Sequence, residues 1–274
     1  LAIFKKIYHT ILIIPKLGFW NFFYMLWYRF SMQLELRKIL FPAEQSVSGE
    51  FYVSTTPVIN FPYKNIDQTI AKANDILDGR FAFFHCHRFK MGNPPNWFQN
   101  PFNGEAVPSS QMHWTKINDF NLPIGDIKTV WELSRFDWLT NLARAYRLSG
   151  EGKYLDQLNL LLNDWSKHNP LNTGVNWKCG QEASFRVMKL ISTAHVLNQF
   201  ESPSDILCKL VFHHLKRINP NINYAIAQDN NHATSEAIAL YIGSAWLLKY
   251  GSFDGGQKND LDKWKIKGRI IFEE

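Results

Sequence analysis

The chain has 274 residues, of which 46% are hydrophobic and 20% charged. That is enough apolar mass for a large core and too little charge for a disordered segment or a charge-rich coiled coil. Three cysteines, Cys86, Cys179 and Cys208, exclude a disulfide framework, and no CxxC pair or Cys/His zinc spacing occurs. A net charge of +6 favours a polyanionic partner. The Lys and Arg residues are scattered and form no known nucleic-acid module, so no nucleic-acid partner is expected. Ten Trp residues suit either a core or a groove that stacks flat rings such as sugars.

Residues 1–41 are basic and aromatic, running from Lys5 and Lys6 through Ile11–Ile14 to Phe19–Tyr28. Pro15 and Lys16 stop the first apolar run, and no small-residue cleavage site follows. The best later run, about twelve residues, falls short of the roughly 20 that a membrane span needs. The expectation is a helix packed on the body of the protein. An interfacial helix making peripheral membrane contact is the alternative. Without a signal-peptide pattern, an intracellular or membrane-associated compartment is favoured, with the bacterial periplasm as the alternative. The first residue is Leu rather than Met, and Ile270–Glu274 reads as the middle of an amphipathic segment. The chain is therefore expected to be part of a longer one.

Residues 42–125 are punctuated by Pro42, Pro57, Pro62, Pro94, Pro95, Pro101, Pro108 and Pro123. They read as a loop-rich segment wrapped on a scaffold. It holds one short helix over Asn65–Leu77 and a strand over Phe81–Phe89. From residue 126 the pattern changes to long helices: Asp126–Leu148, Gly152–His168, Gly180–Gln199, Pro203–Ile218, Asn230–Tyr250 and Lys258–Phe272. Ser149-Gly150, Asn169-Pro170, Glu201-Ser202-Pro203, Asn219-Pro220 and Gly251–Gly256 break them. Six helices on mostly short loops make three hairpins, and so a bundle, a solenoid or an (α/α) toroid. No short repeat supports a regular solenoid.

The helix from Asn230 is apolar on every side after its first turns and should be buried all round, as inner-ring helices of a toroid are. Its start is polar: Asn231, His232 and Glu236, with His232 and Glu236 on one face. Buried polar groups must be paired or serve a ligand, and a helix N-terminus favours an anion. Arg135 falls inside an apolar stripe, and Glu182 and Arg186 lie four apart. Each needs an opposite charge nearby. They read either as inter-helix salt bridges or as the wall of a cleft for an acidic sugar.

Taken together, Asp126–Arg135, Asp164-Trp165 before Asn169-Pro170, Gly174–Trp177, Glu182–Arg186 and Asn230-Asn231-His232 with Glu236 resemble the N-terminal helical domain of the heparinase II/III-like polysaccharide lyases. The resemblance runs from about residue 110 to 274. It implies an all-α fold, an incomplete (α/α) toroid, followed by a β-sandwich domain. It also implies β-elimination on a uronic acid unit of an acidic polysaccharide, heparin-like or alginate-like. By the same resemblance Asn231 and His232 neutralise the uronate carboxylate. Arg135, Trp177, Gln181, Glu182, Arg186 and Glu236 are expected to form the substrate-binding cleft. The tyrosine that serves as base and acid in the family lies somewhat over fifty residues beyond the Asn. No residue of 1–274 matches it, so this chain alone is expected to be inactive.

Rival readings were weighed from the residues. His85-Cys86-His87, His213-His214, or His232 with Glu236 lack a third spaced ligand, so no metal and no cofactor is expected. Glu132, Glu182, Asp119 and Asp126 are carboxylates that a glycoside hydrolase would need, but nothing fixes two at a working separation. A non-catalytic carbohydrate-binding or envelope-assembly module is the third reading.

Overall fold

The computed structural model describes residues 18–54, 65–107, 112–118 and 124–274. Asp119, Pro57, Pro62, Pro108, Pro123 and the basic start of the chain lie outside the described residues. The helices, in chain order, are α1 (Phe19–Gln33), α2 (Arg37–Leu40), α3 (Ile66–Leu77), α4 (Lys128–Trp131), α5 (Asp137–Ser149), α6 (Gly152–His168), α7 (Gly180–Val196), α8 (Asp205–Ile218), α9 (Ile222–Ala227), α10 (Asn231–Tyr250) and α11 (Gly255–Glu273). Single 3-10 turns cover Trp114–Lys116, Leu133–Arg135 and Val175–Trp177. The one sheet among the described residues is a hairpin of β1 (Arg80–Phe83) and β2 (His87–Lys90).

The fold is all-α in its body. Helices α5, α7 and α10 form one layer, each packed on the next, and their hairpin partners α6, α8 and α11 lie against them. The core runs through this stack, from Leu139 and Leu142 through Trp165, Val187 and Leu190 to Leu240 and Leu247. Helix ends follow local chemistry. Gly150 closes α5 in the left-handed conformation (φ 73°) that a glycine adopts without cost. Ser204 caps α8 by accepting from Leu207 N, and Asp254 with Gln257 makes a full capping box on α11. Gly268 lets α11 cross α10 closely, since a Cβ there would sit 2.7 Å from Ala237 O and Tyr241 N.

The loop-rich segment is fastened to α6 and α7 by side-chain amides. Asn163 accepts from Gly49 N and donates to Gly49 O, at 2.8 and 2.7 Å. Asn159 accepts from Phe51 N and Tyr52 N and donates to Tyr52 O. Gln199 does the same for both backbone groups of Val53. These residues stand in for a neighbouring strand, so the backbone groups of Gly49, Tyr52 and Val53 and the Phe51 N–H are satisfied outside any sheet.

Four expectations differ from the structure. The helix expected over Asp126–Leu148 is broken, because Phe136 takes a left-handed conformation (φ 67°) and its buried ring packs edge-on against Trp165. The strand expected over Phe81–Phe89 is a hairpin, turned by Phe84 and His85 at positive φ. The short helix α9 was not read from the sequence at all. The helix expected to be buried on every side, α10, is buried between Glu236 and Leu247 where α7, α8 and α11 pack on it, but Tyr241 is 39% exposed.

Candidate active site

The break at Phe136 puts Arg135 on a 3-10 turn whose side chain reaches α7. Its Nε and Nη2 each donate to Glu182 at 2.7 Å, a bidentate pair, and its Nη1 donates to Glu132 at 2.5 Å. Glu132 also accepts from Phe84 N in the β-turn at 2.9 Å. Both carboxylates are buried, while the Arg135 side chain keeps 27% exposure. The Glu182 hydrogen bonds raise the guanidinium pKa further, so the charge is permanent.

Beside this pair lies the start of α10. Asn230 caps it by accepting from His232 N at 2.9 Å, leaving Asn231 exposed. Ser235 Oγ donates to Asn231 O and accepts from Gln181 Nε2 at 3.3 Å. His232 Nδ1 lies 3.9 Å from Cys179 Sγ. Burial lowers the His232 pKa, with Glu182 pulling the other way, so the imidazole is neutral at neutral pH. The Cys179 thiol is pushed up to about 11 by burial and stays protonated. The first turns of α7 and α10 thus face each other and bring together Arg135, Gln181, Glu182, Asn231 and His232.

Three expected cleft residues stand elsewhere. Trp177 and Arg186 lie in the core. Arg186 is sandwiched between Trp165 and Trp177, 5.1 Å from each ring centre. It donates to His214 Nε2 at 2.9 Å and to Asn176 O at 2.8 Å. Its position four residues after Glu182 suggested a shared face. The aromatic box instead draws it inward, and burial brings its pKa down to about 9. Trp177 donates to Asn169 O, and its own carbonyl accepts from Arg217. Neither presents a surface to a ligand. Glu236 is sealed one turn behind His232 and accepts from Asn221 Nδ2 at 3.2–3.3 Å.

The family model described as "Heparinase II/III N-terminus" matches residues 42–247, well over half of the chain. The chain belongs to this family. A heparin-sulfate lyase of Bacteroides stercoris is 41% identical over 49 residues, which is 18% of this chain and 7% of the relative. A solved heparinase III with methylated lysines superposes with a TM-score of 0.53 at 20% identity, covering 78% of this chain and 33% of that one. The chain therefore spans a small part of the curated relative and a third of the solved one.

The heparinase-family domain carries one feature that the sequence reading missed. A groove of about 290 Å³ opens between α3, the β-hairpin and α5, floored by Glu132. Lys72, Arg80, Arg88, Arg144 and Lys189 line it, against Asp75, Glu132 and Asp137. The lining comes from α3, both strands of the hairpin, the 3-10 turn at Leu133, α5 and α7, so no spacing in the sequence announces it.

Two predictions concern the packing behind His232. A Cβ at Gly180 would lie 2.3 Å from Glu236 Oε1 and 2.5 Å from its Cδ. Gly180→Ala is therefore expected to cost about 1–3 kcal/mol by overpacking. In a Glu236→Ala background the cost should shrink, and a double-mutant cycle of thermal melts reads the coupling. Equal melting of Gly180→Ala and the parent would refute the contact.

The second concerns pH. Burial pushes the Glu236 carboxyl up to about 7 from an ordinary 4.5, against the pull of Arg217 and the Asn221 hydrogen bond. The folded state thus holds this proton more tightly than the unfolded chain does. Its favourable contribution is complete below the ordinary 4.5 and is lost as pH rises through about 7. The whole loss is roughly 3 kcal/mol. Denaturant melts between about pH 5 and 8 should show stability falling in the parent and a flatter profile for Glu236→Gln. Identical slopes would show that Glu236 does not titrate in this window.

Proposed function

We propose that this domain forms one wall of the active site of a lyase that cleaves a heparin- or heparan-sulfate-like acidic polysaccharide by β-elimination. The observation that carries the reading is the pairing of an exposed Asn231 and a neutral, half-buried His232 at the positive end of a largely buried helix. Abstraction of the proton at C5 of a uronate places a second negative charge next to the carboxylate. That state is reached only if donors aimed at the carboxylate oxygens are already in position. The Asn231 amide and a His232 N–H are such donors, held in place by the Asn230 cap and by the Gln181–Ser235 contact.

Arg135 and Glu182 neutralise one another and so act as a rigid support for the first turn of α7, rather than as free charges for substrate. The groove beyond Glu132 has a net positive lining, although Arg80, Arg88 and Lys189 are paired with Asp75, Asp78 and Asp137, and it suits further anionic units of the same chain. We assign the base and acid, a tyrosine by the family resemblance, and a β-sandwich domain to the remainder of the full-length protein. The helical layers are read as the start of an incomplete (α/α) toroid.

The test is an assay of the full-length protein on heparosan, heparan sulfate and alginate, following near-ultraviolet absorbance. β-Elimination leaves a 4,5-unsaturated uronate that absorbs there, whereas hydrolysis leaves no chromophore. Reducing ends that appear without absorbance would replace the lyase reading with a hydrolase.

A further inference from the structure

Among the described residues, α1 carries an extended exposed apolar surface. Phe19, Phe23, Leu26, Phe30 and Leu34 recur at helical spacing along one face, with Trp20 and Trp27 beside them, and all are exposed, Trp20 to 81%. Leu36, Ile39 and Leu40 continue the surface past the helix end, Ile39 at 78%. Soluble proteins rarely leave a contiguous patch of this kind open.

The opposite face of α1 is firmly seated. Tyr28 stacks on Tyr224 of α9, with ring centres 3.5 Å apart and planes within 10°. The Arg37 guanidinium lies 3.8 Å over the Tyr28 ring and its Nε donates to the buried Ser31 hydroxyl at 3.0 Å. The aromatic face is therefore directed outward by packing.

Its occupant is identified by charge. Residues 1–34 carry Lys5, Lys6, Lys16 and Arg29 and no Asp or Glu. The first acid, Glu35, is already paired with Lys38 and Lys116. A second copy of the chain on this face would set like charges against each other without a compensating carboxylate. A sugar would stack on the indoles but would find few hydrogen-bonding side chains between them. No described helix is long and apolar enough to cross a membrane. Trp and Phe on one face of a stretch whose charged residues as far as Leu34 are all basic is the composition of a helix that lies in the headgroup region of an anionic bilayer. We propose that α1 and the turn after it dock this domain flat on an anionic lipid surface.

The experiment is co-sedimentation of the protein with vesicles of phosphatidylcholine alone and of phosphatidylcholine mixed with phosphatidylglycerol, at low and high salt. Binding is expected on the anionic vesicles, weakening with salt, and weak on the neutral ones. Trp20→Ser/Trp27→Ser should reduce the partition about tenfold or more, and Arg29→Glu by a smaller factor. These positions are exposed, so circular dichroism should show the fold retained in both variants. Failure of the parent to pellet with anionic vesicles overturns the proposal, as does equal pelleting of the Trp variant. A parent that dimerises in solution through a contact abolished by Trp20→Ser/Trp27→Ser would also overturn it, in favour of a second copy.

Discussion

On the lyase function proposed above, Asn231→Ala in the full-length protein is expected to lower kcat by about 10²–10³, or about 3–4 kcal/mol of transition-state stabilisation. The amide sits on the exposed first residue of α10, and its removal leaves the Asn230 cap and the Ser235–Asn231 backbone contact in place. The loss is therefore chemical rather than structural. The charge that Asn231 faces grows toward the transition state, so kcat should fall more than substrate binding does. His232→Ala should be similarly damaging. Lys153→Ala, an exposed residue that contacts Glu151 and the Tyr154 ring, serves as the control and should change little. The measurement is the rate of unsaturated-uronate formation on whichever substrate the parent cleaves. Wild-type turnover by Asn231→Ala would remove the role assigned to it.

Glu182→Ala is expected to destabilise the fold by about 3 kcal/mol. The carboxylate is 3% exposed and takes two of the Arg135 donors, so its loss strands a half-buried guanidinium with Glu132 alone. At about 2–4 °C per kcal/mol for a chain of this size, the melting point should drop by several degrees. Glu182→Gln keeps an acceptor of the same shape and should lose less. An unchanged melting point for Glu182→Ala would mean that the pair contributes nothing net. The same variant should slow turnover, because Glu182 lies under the first turn of α7 from which Gln181 reaches Ser235.

Where the chain announces its breaks, the helices could be read. Gly150, Pro170, Pro203 and Gly251 bound segments that emerged within a few residues of expectation. Phe136 could not be read, because no glycine or proline marks it. A bulky residue holds a left-handed backbone there only because its ring is buried among Trp138 and Trp165. Helix α7 ends at Val196 rather than Gln199 for a related reason: Asn198 turns left-handed and Gln199 is engaged by Val53. At the site, polar residues opening an otherwise apolar helix drew attention to Asn231 and His232. The need of Arg135 for a carboxylate was equally visible, though not that Glu182 and Glu132 would share it. Arg186 shows the limit of spacing arguments. Helical geometry gives its angle relative to Glu182, but only the positions of Trp165, Trp177 and His214, from three other parts of the chain, decide that it points into the core.

The amide fastening of residues 49–53 bears on how such a domain tolerates its surroundings. Asn159, Asn163 and Gln199 carry no charge and do not titrate, so dissolved ions neither screen these bonds nor compete for them. A scaffold tied down only by lysine–carboxylate pairs is loosened by salt, and by any polyanion that competes for its lysines. Here the bonds that hold residues 49–53 come from uncharged amides, while Glu44, earlier in the same segment, is ion-paired with Lys216 of α8. Raised ionic strength should therefore weaken the Glu44–Lys216 tie and leave the amide bonds to residues 49–53 in place.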